Sequence, residues 1–348
     1  MKNENFPFVS VIIPCRNEEK FIGRCLDSII AQDYPKDKIE VLVIDGRSTD
    51  RTREVVKGYI QKYPFIRLLD NPKRITPVAM NIGIKGAKGD YILILSSHSK
   101  IDVNFVQKNI SNLQKYHVDC VGGIIITLPA SKSLLSQSIA LTLSHPFGVG
   151  NAYFRIGSKE PKLVDTVPFG CYKRDVFEKI GLFDEELIRN QDDEFNLRLI
   201  KNGGKILLVP DIISYYYTRD SLLKLWKMYF QYGYFKPLVV QKIGDILTWR
   251  QLIPAIFVSS LIFTGVLSFF SKFFLGLFLL IVGSYLFANF VFSLTIAAKK
   301  GLKFFPILPV VFFTLHFSYG LGYLKGIWDF LIRKKHLKKK IKDIPLTR

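Results

Sequence analysis

Glu40-Val-Leu-Val-Ile-Asp45-Gly-Arg-Ser-Thr-Asp50 is the stretch that decides the fold. A continuous apolar run ends on an acid, breaks into small polar residues and passes at once into a helical pattern. That is the grammar of a buried strand followed by a helix, and in open α/β sheets ligands bind at the carboxyl ends of such strands. Two further runs behave alike. Val9-Ser-Val-Ile-Ile-Pro14 empties into Cys-Arg-Asn-Glu18, and Tyr91-Ile-Leu-Ile-Leu95 into Ser-Ser-His98. Three strand ends loaded with polar groups imply one shared pocket.

Working outward, the first hundred residues read β-α-β-α-α-β. Phe21, Ile22, Cys25, Leu26, Ile29 and Ile30 share one helical face, with Asn17 as the expected N-cap and Glu18 and Glu19 in the first turn. Val55, Val56, Tyr59 and Ile60 form the apolar face of a second helix capped by Asp50. Thr76-Pro77 opens a third. Alternating strands and helices predict an α/β, doubly wound, mostly parallel sheet. No G-x-G-x-x-G follows the first strand, which disfavours a dinucleotide-binding enzyme. Further on, 118–127 and 205–209 read as strands, 172–183 and 190–202 as helices, and 144–170 as a long loop region. The cysteines at 15, 25, 120 and 171 have no zinc or C-x-x-C spacing and read as reduced and buried.

The chain has 348 residues and a formal net charge of +20, so an anionic partner is expected. From Leu252 to Leu324 it is almost uncharged, which favours membrane lipid over nucleic acid. Residues 221–250 are aromatic and basic together, a composition that suits a helix in the membrane interface. Segments 252–270, 273–298 and 305–324 each reach the roughly 20 residues a span needs. Three spans would place the basic tail of 331–348 outside, against the positive-inside rule, and two would not. The length of the third segment nevertheless favours three. The N-terminus has no apolar signal-peptide core, so Sec-dependent export of the N-terminal domain is not expected.

Asp192 opens the helix at 190–202, where its carboxylate could deprotonate an attacking hydroxyl. Asp193 and Glu194 are also explained as acids favoured by the helix dipole. Arg47 and Arg74 could meet phosphates, and His98 could ligate a metal.

With these residues in view, Val-Ser-Val-Ile-Ile-Pro-Cys-Arg-Asn-Glu18, Asp45-Gly-Arg-Ser-Thr-Asp50 and the Asn81 to Gly89 run resemble the family 2 glycosyltransferases. The runs 145–155, 164–170 and 190–194, Tyr232-Gly233 with Lys236, and 318–322 resemble the subgroup named for a succinoglycan-biosynthesis glucosyltransferase. The resemblance implies a GT-A fold over residues 1–220. It implies an inverting, membrane-attached enzyme with a cytoplasmic catalytic domain, moving sugar from a nucleotide sugar, commonly a uridine diphosphate sugar, to a polyprenyl-linked glycan. Asp192 would be the general base. Pro14, Arg16, Glu18, Asp45, Arg74, Ser96 and Ser97 would hold the nucleotide sugar. Gly170, Gln191, Asp193, Arg219 and Lys236 would serve the acceptor and diphosphate, and His98 a divalent metal, Mg²⁺ or Mn²⁺. Two departures matter. Ser96 replaces the leading acid of the family's D-x-D motif, leaving Asp102 as a compensating carboxylate. Gln191 replaces the usual Glu before the base and cannot raise its pKa by repulsion. A synthase acting on a bare polyprenyl phosphate and a catalytically inactive nucleotide-sugar-binding scaffold remain the alternatives.

Overall fold

A computed structural model describes residues 6–245 and 249–334. The chain divides into two compact units: residues 1–126 with 153–217, and residues 127–152 with 218–348. Segment 127–152 thus groups with the C-terminal residues rather than with the sheet.

The first unit is built on strands β1 (Val9–Cys15), β2 (Ile39–Asp45), β3 (Ile66–Asp70), β4 (Tyr91–Ile94), β5 (Ser99–Ile101), β6 (Cys120–Leu128), β7 (Lys162–Leu163), β8 (Cys171–Lys173) and β9 (Ile206–Tyr217). Their order is β3-β2-β1-β4-β8-β6-β9-β5, with β7 paired to β9. β1 pairs in parallel with β2 and β4, and β2 with β3. β8 pairs antiparallel to both β4 and β6, and β9 antiparallel to β5 and β7. The sheet is therefore mixed, which corrects the expectation of a mostly parallel one. Four parallel strands form one half, three of them read from the N-terminal pattern, and the other half is antiparallel.

Alternation along each strand sorts the core into two layers. Val9, Val11, Ile13, Val41 and Val43 pack with helices α1 (Ile22–Ile30), α2 (Thr52–Lys62) and α4 (Phe105–Tyr116). Ile12, Leu42, Ile44, Ile92 and Ile94 pack with α3 (Thr76–Gly86), α8 (Arg174–Ile180) and α9 (Gln191–Lys201). β2 is buried along its whole length because helices cover both faces. The short α7 (Tyr153–Ile156) belongs to the same unit. All four cysteines are free and buried, and burial pushes the Cys25 thiol up to about 12.

The second unit contains α5 (Leu134–Leu143), α6 (Pro146–Val149), α10 (Leu222–Ile243), α11 (Ile253–Leu267), α12 (Lys272–Lys300) and α13 (Leu308–Gly326). α10 and α13 cross where glycines stand. A Cβ on Gly233 would collide with the Tyr319 carbonyl, on Gly322 with that of Phe230, and on Gly326 with that of Tyr234. Small residues allow backbones to approach this closely. At the end of the crossing the Tyr234 hydroxyl donates to Asp329 (2.9 Å), which is 2% exposed. α10, which composition assigns to a membrane interface, thus has a buried face that includes Leu225, Met228, Phe235 and Val239.

Among the described residues, two helical segments are long and apolar enough to cross a membrane: Trp249–Leu267, with mean hydropathy 1.6, and Lys272–Lys300, with 2.1. Only 17% and 6% of their apolar windows are buried. The segment counted as a third span forms α13, whose Leu308, Val311, Phe312, Leu315 and Ser318 are buried. The structure thus supplies two candidate spans where sequence length favours three.

Candidate active site at the strand carboxyl ends

β1, β2 and β3 each run out into a residue with positive φ: Asn17 at 56°, Arg47 at 55° and Arg74 at 62°. Non-glycine residues seldom adopt this conformation, and they concentrate at functional sites. The loops after β1 and β2 are tied together. Thr49 N–H donates to the Asn17 side chain (2.8 Å), and Asn17 N–H donates to Ser48 Oγ (2.8 Å). Asn17 is therefore a loop tether and not the cap of α1, which has no side-chain cap. A Cβ on Gly46 would stand 3.2 Å from Arg16 Cβ, so glycine lets this loop lie against Arg16.

Asp45, at the end of β2, is fully buried. It accepts from Ser48 N–H (3.1 Å) and Ser48 Oγ (2.5 Å), and pairs with Arg53 (2.7 Å). Arg53 also reaches Asp70 at the end of β3 (2.6 Å). A buried carboxylate needs such partners. Its first role here is to lock the loop of the opening motif rather than to face solvent. Asp50 takes Thr52 N–H and Oγ1 and Glu19 N–H. Although burial pushes its carboxyl up, these hydrogen bonds hold it below the usual range.

The third strand end makes a tight turn in which Ser99 N–H and Oγ both donate to the Ser96 carbonyl. Ser97 is buried, Ser96 and His98 partly so. The His98 ring lies 3.2 Å from Ser96 Oγ, and its Nδ1 is 3.5 Å from Glu18 Oε1. Phe21 and Tyr216 flank the imidazole at centroid distances of 6.5 and 6.0 Å. The Arg155 guanidinium lies 5.4 Å over the Tyr216 ring. Sequence reasoning missed Tyr216 and Arg155. The sequence pattern marks a strand only over 205–209, short of Tyr216 in β9, and Arg155 carries no local signal of a role.

Asp192 is exposed in the first turn of α9, and Asp193 and Gln191 are half-buried beside it. Asn190 enters the helix with φ 59°. Gln191 Oε1 is buried with no hydrogen-bond partner among the described residues. Glu194 is occupied by a two-pronged pair with Arg198 (2.7 and 2.9 Å). Beneath the helix runs a buried chain: Tyr172 hydroxyl donates to Asn196 Oδ1 (2.8 Å), and Asn196 Nδ2 to Thr166 Oγ1 (2.9 Å). Burial, then the nearby Cys120 and Asp192 charges, push the Tyr172 hydroxyl well above its usual range, so it remains a donor. Nothing in the sequence pattern marks this chain as the support for Asp192. Tyr172→Phe would leave Asn196 Oδ1 buried and unpaired, at a cost of about 1–3 kcal/mol. The expected result is a lower thermal midpoint with an unchanged denaturant slope, measured by circular dichroism.

The remaining expected residues are dispersed. Pro14, near the end of β1, and Arg16, on the loop after it, are half-buried, and Arg74 is exposed on the loop after β3. Gly170 is a packing position: a Cβ there would come within 2.9 Å of Cys120 Sγ and the Tyr172 ring. Arg219 and Lys236 belong to the second unit, where Lys236 is 4% exposed within α10.

No cluster of three or more His, Cys, Asp or Glu side chains able to hold a metal occurs among the described residues. A smaller set does not exclude a divalent ion of the Mg²⁺ type, which typically takes one or two protein carboxylates and completes its shell with water and substrate phosphates. One imidazole and one carboxylate at His98 and Glu18 fit such a partial shell.

The sequence matches the model for "Glycosyl transferase family 2" over residues 10–181. It is 33% identical over 329 residues, 92% of this chain and 97% of the other, to the dolichyl N-acetyl-alpha-D-glucosaminyl phosphate 3-beta-D-2,3-diacetamido-2,3-dideoxy-beta-D-glucuronosyltransferase of Methanococcus voltae. It is 24% identical to the succinoglycan biosynthesis protein ExoA of Rhizobium meliloti, over 92% of this chain and 95% of that one. Among solved structures, the mannosyltransferase PcManGT from Pyrobaculum calidifontis, in complex with GDP-Man and Mn²⁺, aligns with a TM-score of 0.59 at 17% identity, covering 93% of this chain and 88% of that one. The fold is that of the GT-A-like glycosyltransferases, and the chain belongs to glycosyltransferase family 2.

Proposed function

We propose that this chain transfers a sugar from a nucleoside-diphosphate donor to a lipid-linked saccharide at a membrane surface, with inversion at the anomeric carbon. The observation that carries this reading is the relationship at 33% identity along nearly the full length of both chains, to an enzyme named for a dolichyl-linked sugar phosphate acceptor. The donor's nucleotide, a uridine diphosphate in the first instance, would lie over the loops after β1 and β2, against Pro14, Arg16 and Glu18. Asp45 would shape that pocket by fixing the Ser48 loop. Ser96, Ser97, His98 and Arg74 would line its diphosphate side. A divalent metal held at His98 would neutralise charge on the leaving diphosphate, and Arg155 adds a fixed positive charge beside Tyr216.

Asp192 is assigned as the base. It is an exposed carboxylate at a helix start fixed from below by Tyr172 and Asn196. It would take the proton of the acceptor hydroxyl as that oxygen attacks the anomeric carbon from the face opposite the diphosphate. The bond to the nucleoside diphosphate breaks as the new glycosidic bond forms. Gln191 Oε1 is an acceptor suited to a second sugar hydroxyl. Asp193 would line the acceptor side.

Membrane attachment would rest on the hairpin of α11 and α12. α12 has 29 residues, about 43 Å at 1.5 Å per residue, against about 30 Å of bilayer core. Phe269, Phe270 and Phe273 at its turn are 87%, 82% and 69% exposed. Arg250 at one end of the hairpin, and Lys299, Lys300 and Lys303 at the other, flank the apolar stretch. Two crossings would return Arg250 and Lys299, Lys300 and Lys303 to one side, which the positive-inside rule would make the cytoplasmic one. Mass spectrometry of lipid products made from a nucleotide sugar and a membrane lipid extract tests the acceptor. One added sugar on an existing lipid-linked saccharide is expected. Sugar on a bare polyprenyl phosphate would instead make the chain a synthase.

A further inference from the structure

We propose that Glu18 supplies the carboxylate that the Ser96-Ser97-His98 turn lacks, so that Glu18 and His98 together are the protein's ligands for a divalent cation bound with the donor diphosphate. This rests on the donor site proposed above and assigns Glu18 to the metal rather than to the nucleotide.

The placement of Glu18 comes from backbone contacts. Its N–H donates to Thr52 Oγ1 (2.7 Å), and its carbonyl accepts from Phe21 and Ile22 N–H (both 2.9 Å). The loop after β1 is thereby pinned to the start of α2, and the side chain is directed at the end of β4. Oε1 arrives 3.5 Å from His98 Nδ1, with the Glu18 side chain 6% and the His98 side chain 32% exposed. Two neighbouring ligands at about 2.1 Å from a Mg²⁺-sized ion lie about 3 Å apart, so this spacing needs little adjustment. A carboxylate and an imidazole are also a donor pair that Mn²⁺ accepts.

Three other acids near these strand ends make contacts of their own, and the choice of Glu18 rests on its approach to His98. Asp102, the carboxylate that the sequence offers in compensation, accepts from the Tyr215 hydroxyl (3.3 Å). Asp45 is fully buried on Arg53 and Ser48. Asp50 holds Thr52. Glu18 is the acid that meets His98. The Glu lies 80 residues before the turn in sequence, which is why no local D-x-D pattern reveals it.

The test is Mn²⁺ binding by the purified full chain, read from the electron paramagnetic resonance signal of free Mn²⁺, without nucleotide and with UDP or GDP. Nucleotide binding without metal is measured alongside by equilibrium dialysis. Glu18→Gln and His98→Gln should each weaken Mn²⁺ binding by more than about tenfold, since losing an outer-shell partner of a ligand alone typically costs that much, and Asp102→Asn should leave it unchanged. Glu18→Asp, compared at equal folded fraction, should bind Mn²⁺ more tightly than Glu18→Gln. Unchanged Mn²⁺ affinity in Glu18→Gln, equal affinity in the Asp and Gln variants, or a wild-type chain that binds nucleotide but no Mn²⁺ would each overturn the proposal and leave the donor site standing. A wild-type chain that binds neither nucleotide would overturn both.

Discussion

Asp192→Asn should lower turnover by about 10²–10⁴-fold, the range associated with losing a positioned general base, while nucleotide affinity stays near the wild-type value. The separation follows from geometry. Asp192 sits at the exposed start of α9, whereas the donor residues proposed here stand at the ends of β1 to β4 and on the loops that follow them. Asparagine keeps the size of the side chain and its favourable place at a helix start, but cannot accept a proton from the acceptor. A variant that retained near-wild-type turnover would remove Asp192 from the chemistry. Asp193 would then be the next carboxylate to examine, since Glu194 is held by Arg198.

Gly322→Leu should be the most damaging change outside the first unit. Even a single Cβ at this position would run into the Phe230 carbonyl of α10, a backbone atom that cannot rotate away. Gly233 and Gly326 make equivalent approaches to the backbone of the facing helix, so the crossing has no slack to redistribute. Overpacking of this kind belongs to the exceptional class of substitutions that cost more than about 4 kcal/mol. The expected outcome is a C-terminal unit that is cleaved by protease at low enzyme ratio, where the wild type resists. Gly276→Leu is the control, because nothing lies within 4 Å of a Cβ there. It should behave as wild type.

The parts legible in the sequence were those with a strong local period. β1, β2 and β4 are continuous apolar runs ending in polar clusters, and their pairing in parallel follows from the helices between them. β3 escaped because Ile66–Asp70 is a short edge strand, with one buried residue and mixed polarity. The antiparallel half escaped for a different reason. Cys171–Lys173 is three residues long, and Gly170 before it lies too close to Cys120 and the Tyr172 ring to carry a Cβ. Gly123 would meet the Ile212 backbone if it carried a Cβ. Such tertiary fits leave no periodic trace.

The site was legible in its residues but less so in their partners. Asp192 and His98 are visible as acids and imidazoles at element ends. That Asp45 is spent on Arg53, or that Asn196 links Tyr172 to Thr166, depends on contacts between segments far apart in the chain. Asn17 shows the same lesson in miniature. Its residue type suits a helix cap, but the loop after β2 offers Thr49 N–H, and the side chain goes there.

The most direct test of the central claim is release of nucleoside diphosphate from a panel of UDP- and GDP-sugars by the purified chain, with and without a membrane lipid extract and with Mn²⁺ present. Release from at least one donor that rises when the extract is added, and falls to background in Asp192→Asn, is the predicted result. Equal release with and without extract, or equal release by wild type and Asp192→Asn, would contradict it.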